Sequence, residues 1–174
     1  MAITKVTSAL LNSTALTSKA FGTSSIMIGD DSTGTIDAAN YNTGLGVDVF
    51  AALTTGDNNL AIGYAALTAN TTGASNVAVG SSALDANTTA SFNTAIGEAS
   101  LSANTTGASN TAVGNGALYT NTTASNNTAV GKYALLYNTT GTRNVAVGAE
   151  ALDANTTGND NVAIGGGTDG VSFA

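Results

Sequence analysis

The residue types that perform most enzyme chemistry are scarce in this chain of 174 residues. Histidine and cysteine are both absent, so the usual general base, the commonest metal ligand and thiolate chemistry are missing. Serine and threonine are plentiful, but no imidazole can activate their hydroxyls. Asp30 and Asp31 are neighbours in a predicted turn, whereas paired catalytic carboxylates flank a cleft. The sequence therefore predicts no catalytic residue, no metal site and no cofactor, and we expect that the protein is not an enzyme.

Glycine and aspartate clusters also have a structural interpretation. Gly44-Leu45-Gly46 and Gly165-Gly166-Gly167 lack the helix that must follow a phosphate-binding loop. Asp30, Asp31 and Asp37 could suggest calcium, but the Gly-Gly-x-Gly-x-Asp pattern of calcium-binding repeats is missing. We interpret the three carboxylates as solvated turn residues.

Charge and hydropathy exclude two classes of partner. The formal net charge is −7, and the four cations Lys5, Lys19, Lys132 and Arg143 are too scattered to neutralise a phosphate track. No apolar run is long enough to span a bilayer, and the segment 1–5 does not begin a secretory signal. We expect no nucleic-acid partner, no membrane insertion and folding in the compartment of synthesis.

A repeat of 17 residues organises the rest of the chain. The motif Asn-x-Ala-Val/Ile-Gly returns without a slip, and its glycine holds one register from end to end. A fixed short period is typical of a solenoid. The sequence predicts an all-β parallel β-roll, or β-solenoid, of about nine coils and roughly 43 Å in length at the usual strand spacing. The register glycines are Gly29, Gly46, Gly63, Gly80, Gly97, Gly114, Gly131, Gly148 and Gly165.

Departures from the repeat divide the chain into four parts. Residues 1–22 precede the period and are predicted to be a disordered tail, a cap on the first coil or an arm that docks onto a partner. A cap is expected because an open solenoid end exposes unpaired strand edges. Residues 23–52 are degenerate first coils, residues 53–158 are the regular repeats, and residues 159–174 are the last coil and a C-terminal cap.

Side-chain alternation along each strand divides its residues between two faces. We expect the β-branched residue before each glycine to face the interior of its own chain, together with a leucine from a second short strand in the same coil. Stacking the coils would bury these residues. The predicted core is Ile62, Val79, Ile96, Val113, Val130, Val147 and Ile164, with Leu67, Leu84, Leu101, Leu118, Leu135 and Leu152.

An alanine lies between the two apolar positions of every regular strand. Alanine is a weak strand former, so its recurrence indicates a steric limit, which we assign to neighbouring chains of a parallel, in-register homotrimer. The alternative is a monomer with a flat exposed alanine face. The residues predicted at the trimer axis are Ala61, Ala78, Ala95, Ala112, Ala129, Ala146 and Ala163.

The recurring asparagines and glycines predict how the coils are held together. The asparagine that opens each strand should form a ladder of amides along the stack. The Asn-Thr-Thr turns should be fixed by bonds from side chains to the backbone. The register glycine should occupy a position where φ is positive or a Cβ would clash.

The outward turns carry the most variable residues. Tyrosine and arginine favour contacts with partners, although scattered exposed aromatic residues are also common. The residues predicted as possible receptor contacts are Tyr64, Phe92, Tyr119, Tyr133, Tyr137 and Arg143.

These repeats resemble two related groups of proteins. The Asn-x-Ala-Val/Ile-Gly strand is similar to the head repeat of trimeric autotransporter adhesins, which is a trimeric left-handed parallel β-roll. The longer unit, Gly-x-x-Asn-Thr-Ala-Val-Gly-x-x-Ala-Leu-x-x-Asn-Thr-Thr, resembles repeats in bacteriophage fibres and other virion structural proteins. The likeness covers residues 23–168 and implies a trimeric rod with a structural or attachment role.

Features outside the repeat favour the second group. An adhesin of that type would need a signal peptide, a coiled-coil stalk and a membrane anchor, none of which we see, whereas a phage protein is assembled in the host cytoplasm. We therefore expect a structural fibre of a bacteriophage virion, in the tail or on the capsid, that docks to other virion proteins through residues 1–22 and contacts a host surface receptor.

Two other functions remain open. One is a cell-surface trimeric adhesin head. The other is an ice-binding solenoid that presents the threonine pairs, although each pair follows an asparagine in a predicted turn. The pairs are Thr71-Thr72, Thr88-Thr89, Thr105-Thr106, Thr122-Thr123, Thr139-Thr140 and Thr156-Thr157.

Overall fold

A computed structural model describes residues 17–19, 26–29 and 39–167. These residues form an all-β parallel solenoid with a 17-residue spacing, and none of them is helical. The fold class predicted from the period is confirmed. The ten strands form one sheet in chain order. They are β1 (Thr17–Lys19), β2 (Ile26–Gly29), β3 (Thr43–Gly46), β4 (Leu60–Ile62), β5 (Val77–Val79), β6 (Thr94–Ile96), β7 (Thr111–Val113), β8 (Thr128–Val130), β9 (Val145–Val147) and β10 (Val162–Ile164).

Strand pairing follows the repeat without a shift. β1 pairs antiparallel with β2, and every later pair is parallel. Ala112 lies opposite Ala95 on one side and Ala129 on the other. About seven turns of 17 residues make up the described solenoid. Of the predicted N-terminal segment, residues 1–16 and 20–22 lie outside the described residues, as do the first-coil residues 23–25 and 30–38 and the C-terminal residues 168–174.

Each coil from β4 to β9 contains a strand, a glycine corner, a turn segment and an Asn-Thr-Thr turn. The predicted second short strand is wrong, because residues 64–69 form turns and their equivalents in the other coils do the same. Leu67 lies in this turn segment with a φ of 52°. A left-handed backbone costs a residue with a Cβ about 1–2 kcal/mol. Complete burial of the leucine side chain contributes roughly 1.5–3 kcal/mol and offsets that cost.

The register glycine stands where two coils come closest. Gly114 has a φ of 136°, and a Cβ built on it would lie 2.5 Å from the carbonyl oxygen of Gly131 in the next coil. The position therefore requires glycine for its backbone conformation and for the lack of a side chain. The prediction is confirmed for the register glycines from Gly46 to Gly165, all of which have a positive φ.

The interior of a coil is narrow and contains both apolar and amide groups. Ala61, Ala66 and Leu67 are fully buried, and Asn59 and Asn70 are buried beside them. Phe50 takes the place of the recurring leucine in an early coil and is also fully buried. No buried side-chain nitrogen or oxygen atom in the described part of the chain lacks a hydrogen-bond partner.

Two asparagine ladders supply the hydrogen-bond partners of the buried amides. At the strand start, the backbone N–H of Asn110 donates to Oδ1 of Asn93 at 2.9 Å, and Nδ2 of Asn110 crosses the coil to the carbonyl oxygen of Ala124 at 2.9 Å. In the turn, Nδ2 of Asn121 donates to Oδ1 of Asn104 at 3.0 Å and also to the carbonyl oxygen of Ala124 at 2.9 Å. The predicted ladder and the predicted fixation of the turns are both confirmed.

The two faces of the strand are exchanged relative to the prediction. The alanine row faces the interior of its own chain, so its steric limit comes from the chain's own turn segment and not from a neighbouring subunit. The assignment of these residues to a trimer axis is wrong. The buried row, each residue at most 5% exposed, consists of Ala61, Ala78, Ala95, Ala112, Ala129, Ala146 and Ala163.

The β-branched row faces outward instead of into the core. Asn59 and Ala61 are two residues apart, so they share a face, and the buried amide ladder fixes that face as the inner one. Residues at the intervening positions are therefore half-buried or exposed. This corrects the prediction for Ile62, Val79, Ile96, Val113, Val130, Val147 and Ile164.

The leucine part of the predicted core is confirmed. Leu152, near the end of the described chain, is partly buried and packs against the core. The fully buried leucines are Leu67, Leu84, Leu101, Leu118 and Leu135.

Replacing a register glycine in the middle of the rod should be far more damaging than replacing the last one. Gly114→Ala combines backbone strain of about 1–3 kcal/mol with a clash of about 1–3 kcal/mol against the next coil. Gly165→Ala is a matched control, because Gly165 has a φ of 133° but nothing within 4 Å of the added Cβ. Thermal unfolding at equal protein concentration measures both. Equal losses would show that the close approach of the coils does not matter.

Interrupting the turn ladder should also destabilise the rod. Asn104→Ala removes the bonds from Nδ2 to Oδ1 of Asn87 and to the carbonyl oxygen of Gly107. It also removes one of the two acceptors of Nδ2 of Asn121, which keeps only its bond to the carbonyl oxygen of Ala124. We expect a loss of about 2–4 kcal/mol, since each buried orphaned group costs about 1–3 kcal/mol. Asn155→Ala, at a partly buried rung, should lose less because water can replace the amide. Denaturant titration would contradict this if the two variants were equally stable.

Candidate functional site

The strand face is the first of two candidate surfaces on the rod. It consists of the outward first and third residues of β4 to β10. The third residue is valine or isoleucine in every one of these strands, and the first is leucine, valine or threonine. Ile96 is 40% exposed and Ile164, on the last strand, is 69% exposed. Parallel sheets are normally covered on both faces, so this aliphatic strip lacks the cover that its composition implies.

The strand face has no charged residue, and this limits its chemistry. Its polar members are Thr94, Thr111 and Thr128, which lie side by side in consecutive strands. A strip of aliphatic and threonine side chains can contribute burial and close packing but offers no ionic recognition. It is therefore suited to a partner whose surface has the same repeat.

The turn side of the rod carries the second candidate surface. Here Glu98, Asn115, Tyr119, Tyr133, Leu136 and Tyr137 line a groove of about 490 Å³, which we call the aromatic groove. Three of the six residues predicted as receptor contacts therefore lie together. The structure leaves Tyr64, 59% exposed, in an earlier coil outside the groove.

The other two predicted contact residues lie at a different corner. Phe92 and Arg143 occupy the position just before the strand asparagine, with φ values of 63° and 58°. Phe92 is 67% exposed, whereas Arg143 forms a two-pronged ion pair with Asp160 of the next coil, with Nη2 2.7 Å from Oδ2. Neither residue lines the aromatic groove.

The ion pair shifts the titration of both partners. The hydrogen bond from Arg143, with a smaller contribution from its charge, lowers the pKa of Asp160 below its ordinary value of 3.8. The same bond and the charge of Asp160 raise the pKa of Arg143. Both groups are exposed, so solvent screens the pair strongly.

The threonine pairs do not present two equivalent columns of free hydroxyls. The first member of the pair uses its hydroxyl within the stack, as Oγ1 of Thr71 donates to the carbonyl oxygen of Thr88 at 3.0 Å and Oγ1 of Thr105 to that of Thr122 at 3.1 Å. The second member, such as Thr106, is exposed. Therefore only the second threonine of each pair forms a column whose hydroxyls are not used in these bonds between coils.

The described residues contain neither a membrane-spanning helix nor a metal-binding cluster. No helix there is long and apolar enough to cross a bilayer. No group of three or more acidic, histidine or cysteine side chains among the described residues is arranged to hold a metal ion.

Removing the guanidinium should return the Asp160 carboxyl toward its ordinary pKa. In the wild type this depressed pKa gives a stabilising contribution that is complete above the unfolded value and disappears as the pH falls through the folded value. We expect Arg143→Gln to raise the pKa of Asp160. Arg143→Lys should raise it by less, since it keeps the charge and loses the two-pronged bond. Carboxyl NMR titration measures this, and an unchanged pKa in Arg143→Gln would contradict the pairing.

The chain matches no protein-family model, no curated protein and no solved structure. A role for it must therefore be inferred from the strand face, the aromatic groove and the repeat.

Proposed function

We propose that the protein is a rigid structural rod in which three copies associate through their strand faces, and that it serves as a fibre of a bacteriophage virion. The observation that carries this proposal is the outward row of valine and isoleucine on β4 to β10. The alanine row cannot provide the contact, because it is buried within one chain.

A second copy of the chain is the partner that fits this surface best. The row repeats every 17 residues and every strand is paired in register, so another copy in parallel matches it along its whole length. Cyclic association around one axis closes the contacts and leaves no open face for continued growth. Three copies agree with the trimeric β-rolls that the repeat resembles.

The mechanism of such a fibre is mechanical. Every coil is tied to the next by strand pairing, by the two amide ladders and by bonds such as that from the backbone N–H of Gly114 to the carbonyl oxygen of Ile96 at 2.7 Å. Covering the strand face in a trimer would remove its aliphatic groups from water. A rod of this kind resists bending and proteolysis, because local opening must break several bonds at once.

The resemblance of the 17-residue unit to phage fibre repeats supports a virion, and assembly after synthesis in the host cytoplasm, over a cell-surface adhesin head. In this proposal residues 1–22 dock to other virion proteins and the turn side of the rod contacts the host. Immunogold electron microscopy of the native source tests the location. Labelling at one site on phage particles is expected, and labelling of bacterial surfaces in the absence of particles would overturn the virion assignment.

A charge on the strand face should abolish the trimer without unfolding the coil. Val130→Asp places a carboxylate near its copies in the assembled rod, where burial without a partner is costly. Thr123→Asp is the matched control, since it adds the same charge at an exposed position of the Asn-Thr-Thr turn. Light scattering after size exclusion should give three times the 16.9 kDa chain mass for the wild type and the control, and a monomer for Val130→Asp. A monomeric wild type would end the proposal.

A further inference from the structure

The aromatic groove contains residues that the fold does not require. In the turn segment of other coils, the two residues after the recurring leucine are small or polar, as in Ser102-Ala103. In two adjacent coils they are Tyr119-Thr120 and Leu136-Tyr137. The same backbone forms in other coils with threonine, aspartate or serine at the first position and alanine at the second, so folding does not explain these large side chains.

Gly116 supports the same conclusion. It replaces a residue that is alanine, serine, aspartate, glutamate or tyrosine in other coils, as in Ala99 with a φ of 53°. The backbone conformation therefore does not demand glycine. A Cβ on Gly116 would lie 2.7 Å from Cδ1 and Cε1 of Tyr133, so the missing side chain makes room for this ring. The glycine and the tyrosine fit together as parts of one built site.

Polar groups border the aromatic residues. Nδ2 of Asn115 lies 3.2 Å from a carboxylate oxygen of Glu98, and Nζ of Lys132 lies 4.6 Å from the centroid of the Tyr133 ring. The surroundings thus combine one carboxylate, one ammonium and an amide. Their charges balance, and this favours a neutral ligand over an anionic one.

We propose that the aromatic groove binds a neutral saccharide. Tyr119 and Tyr137 are 44% and 54% exposed, and their rings can pack against the C–H groups of a sugar ring through the negative faces of the π systems. Glu98 and Asn115 can accept hydrogen bonds from sugar hydroxyls, and the amide and Lys132 can donate them. The groove volume of about 490 Å³ lies within the usual range for a small-molecule site.

Other ligands fit the groove less well. A phosphate-bearing ligand would meet the Glu98 carboxylate in a chain whose net charge is −7. A peptide with an aromatic side chain could stack on the tyrosines, but it offers the acceptors of Glu98 and Asn115 one backbone donor per residue, whereas a single sugar ring carries several hydroxyl groups. A saccharide uses the aromatic faces and the polar border together.

The inference deepens the proposed function, because a host surface would supply the saccharide. The aromatic groove is lined by residues of one chain that follow the register glycines and lie outside the strand face, so it does not need the trimer. Saccharide binding by a monomeric wild type would therefore overturn the rod proposal alone. A trimer that binds no saccharide would overturn only this inference.

The test uses the full chain and an array of immobilised neutral hexose and N-acetylhexosamine oligosaccharides, followed by saturation-transfer NMR with each positive oligosaccharide. The double variant Tyr119→Ser/Tyr137→Ala introduces the residue types of Ser102 and Ala103, which occupy the same two positions in the coil before the groove, so its fold should be retained. We expect its affinity to fall by at least about tenfold, as the removal of aromatic contact residues typically produces. The matched control Tyr64→Ala, on an exposed tyrosine outside the groove, should bind as the wild type does.

A second variant separates the shape of the groove from its aromatic surface. Gly116→Ala should displace the Tyr133 ring and weaken saccharide binding while all the groove tyrosines remain. Three results would overturn the proposal: no binding of any neutral oligosaccharide by the wild type, unchanged binding in the double variant, or binding confined to aromatic peptides in a parallel peptide array.

Discussion

The spacing between coils is set where one glycine backbone rests on the next. With Gly114 so close to the carbonyl oxygen of Gly131 that a Cβ has no room, the chain must return after each circuit to the same place in the coil. The strands are then held in register and equivalent residues lie above one another. Each buried column, amide ladder and surface row follows from that repetition, because a change of one residue in the circuit would shift every column.

The interior shows how a chain with few large apolar residues can still form a stable core. Alanine and leucine fill the space that the turn segment leaves, and two asparagines per coil occupy the remainder. A buried amide is costly unless it is bonded, and stacking supplies the partners from the neighbouring coils. The interior therefore depends on continuity along the rod, with stability arising mainly from contacts between neighbours.

The period and its glycines were sufficient to predict the solenoid, the parallel pairing and the positive φ of the corner. Residue types also predicted the amide ladders and the buried leucines. The direction of the strand faces was predicted wrongly, since small size at Ala61 was attributed to a neighbouring chain. The two-residue spacing of Asn59 and Ala61 indicates the correct direction, because residues two positions apart on a strand share a face and the asparagine belongs to a buried ladder.

The aromatic groove needed three-dimensional information. Tyr119, Tyr133 and Tyr137 occupy three different positions of the repeat, so no single column of the sequence shows them as a group. Gly116 and Tyr133 are 17 residues apart and meet only when the coils stack. A comparison of the coils position by position could have indicated the cluster. Thr120 and Tyr137 stand two residues after the recurring leucine, where the other regular coils have alanine.

The turn ladder gives the rod a chemical direction. Each carboxamide donates to the coil before it and accepts from the coil after it, as Asn121 and Asn138 do, so the side-chain dipoles point the same way along the axis. At the far end, Oδ1 of Asn155 receives the backbone N–H of Gly158. A unit inserted in the opposite sense would set oxygen against oxygen. Tandem duplication of whole 17-residue segments would thus lengthen the rod while preserving this polarity.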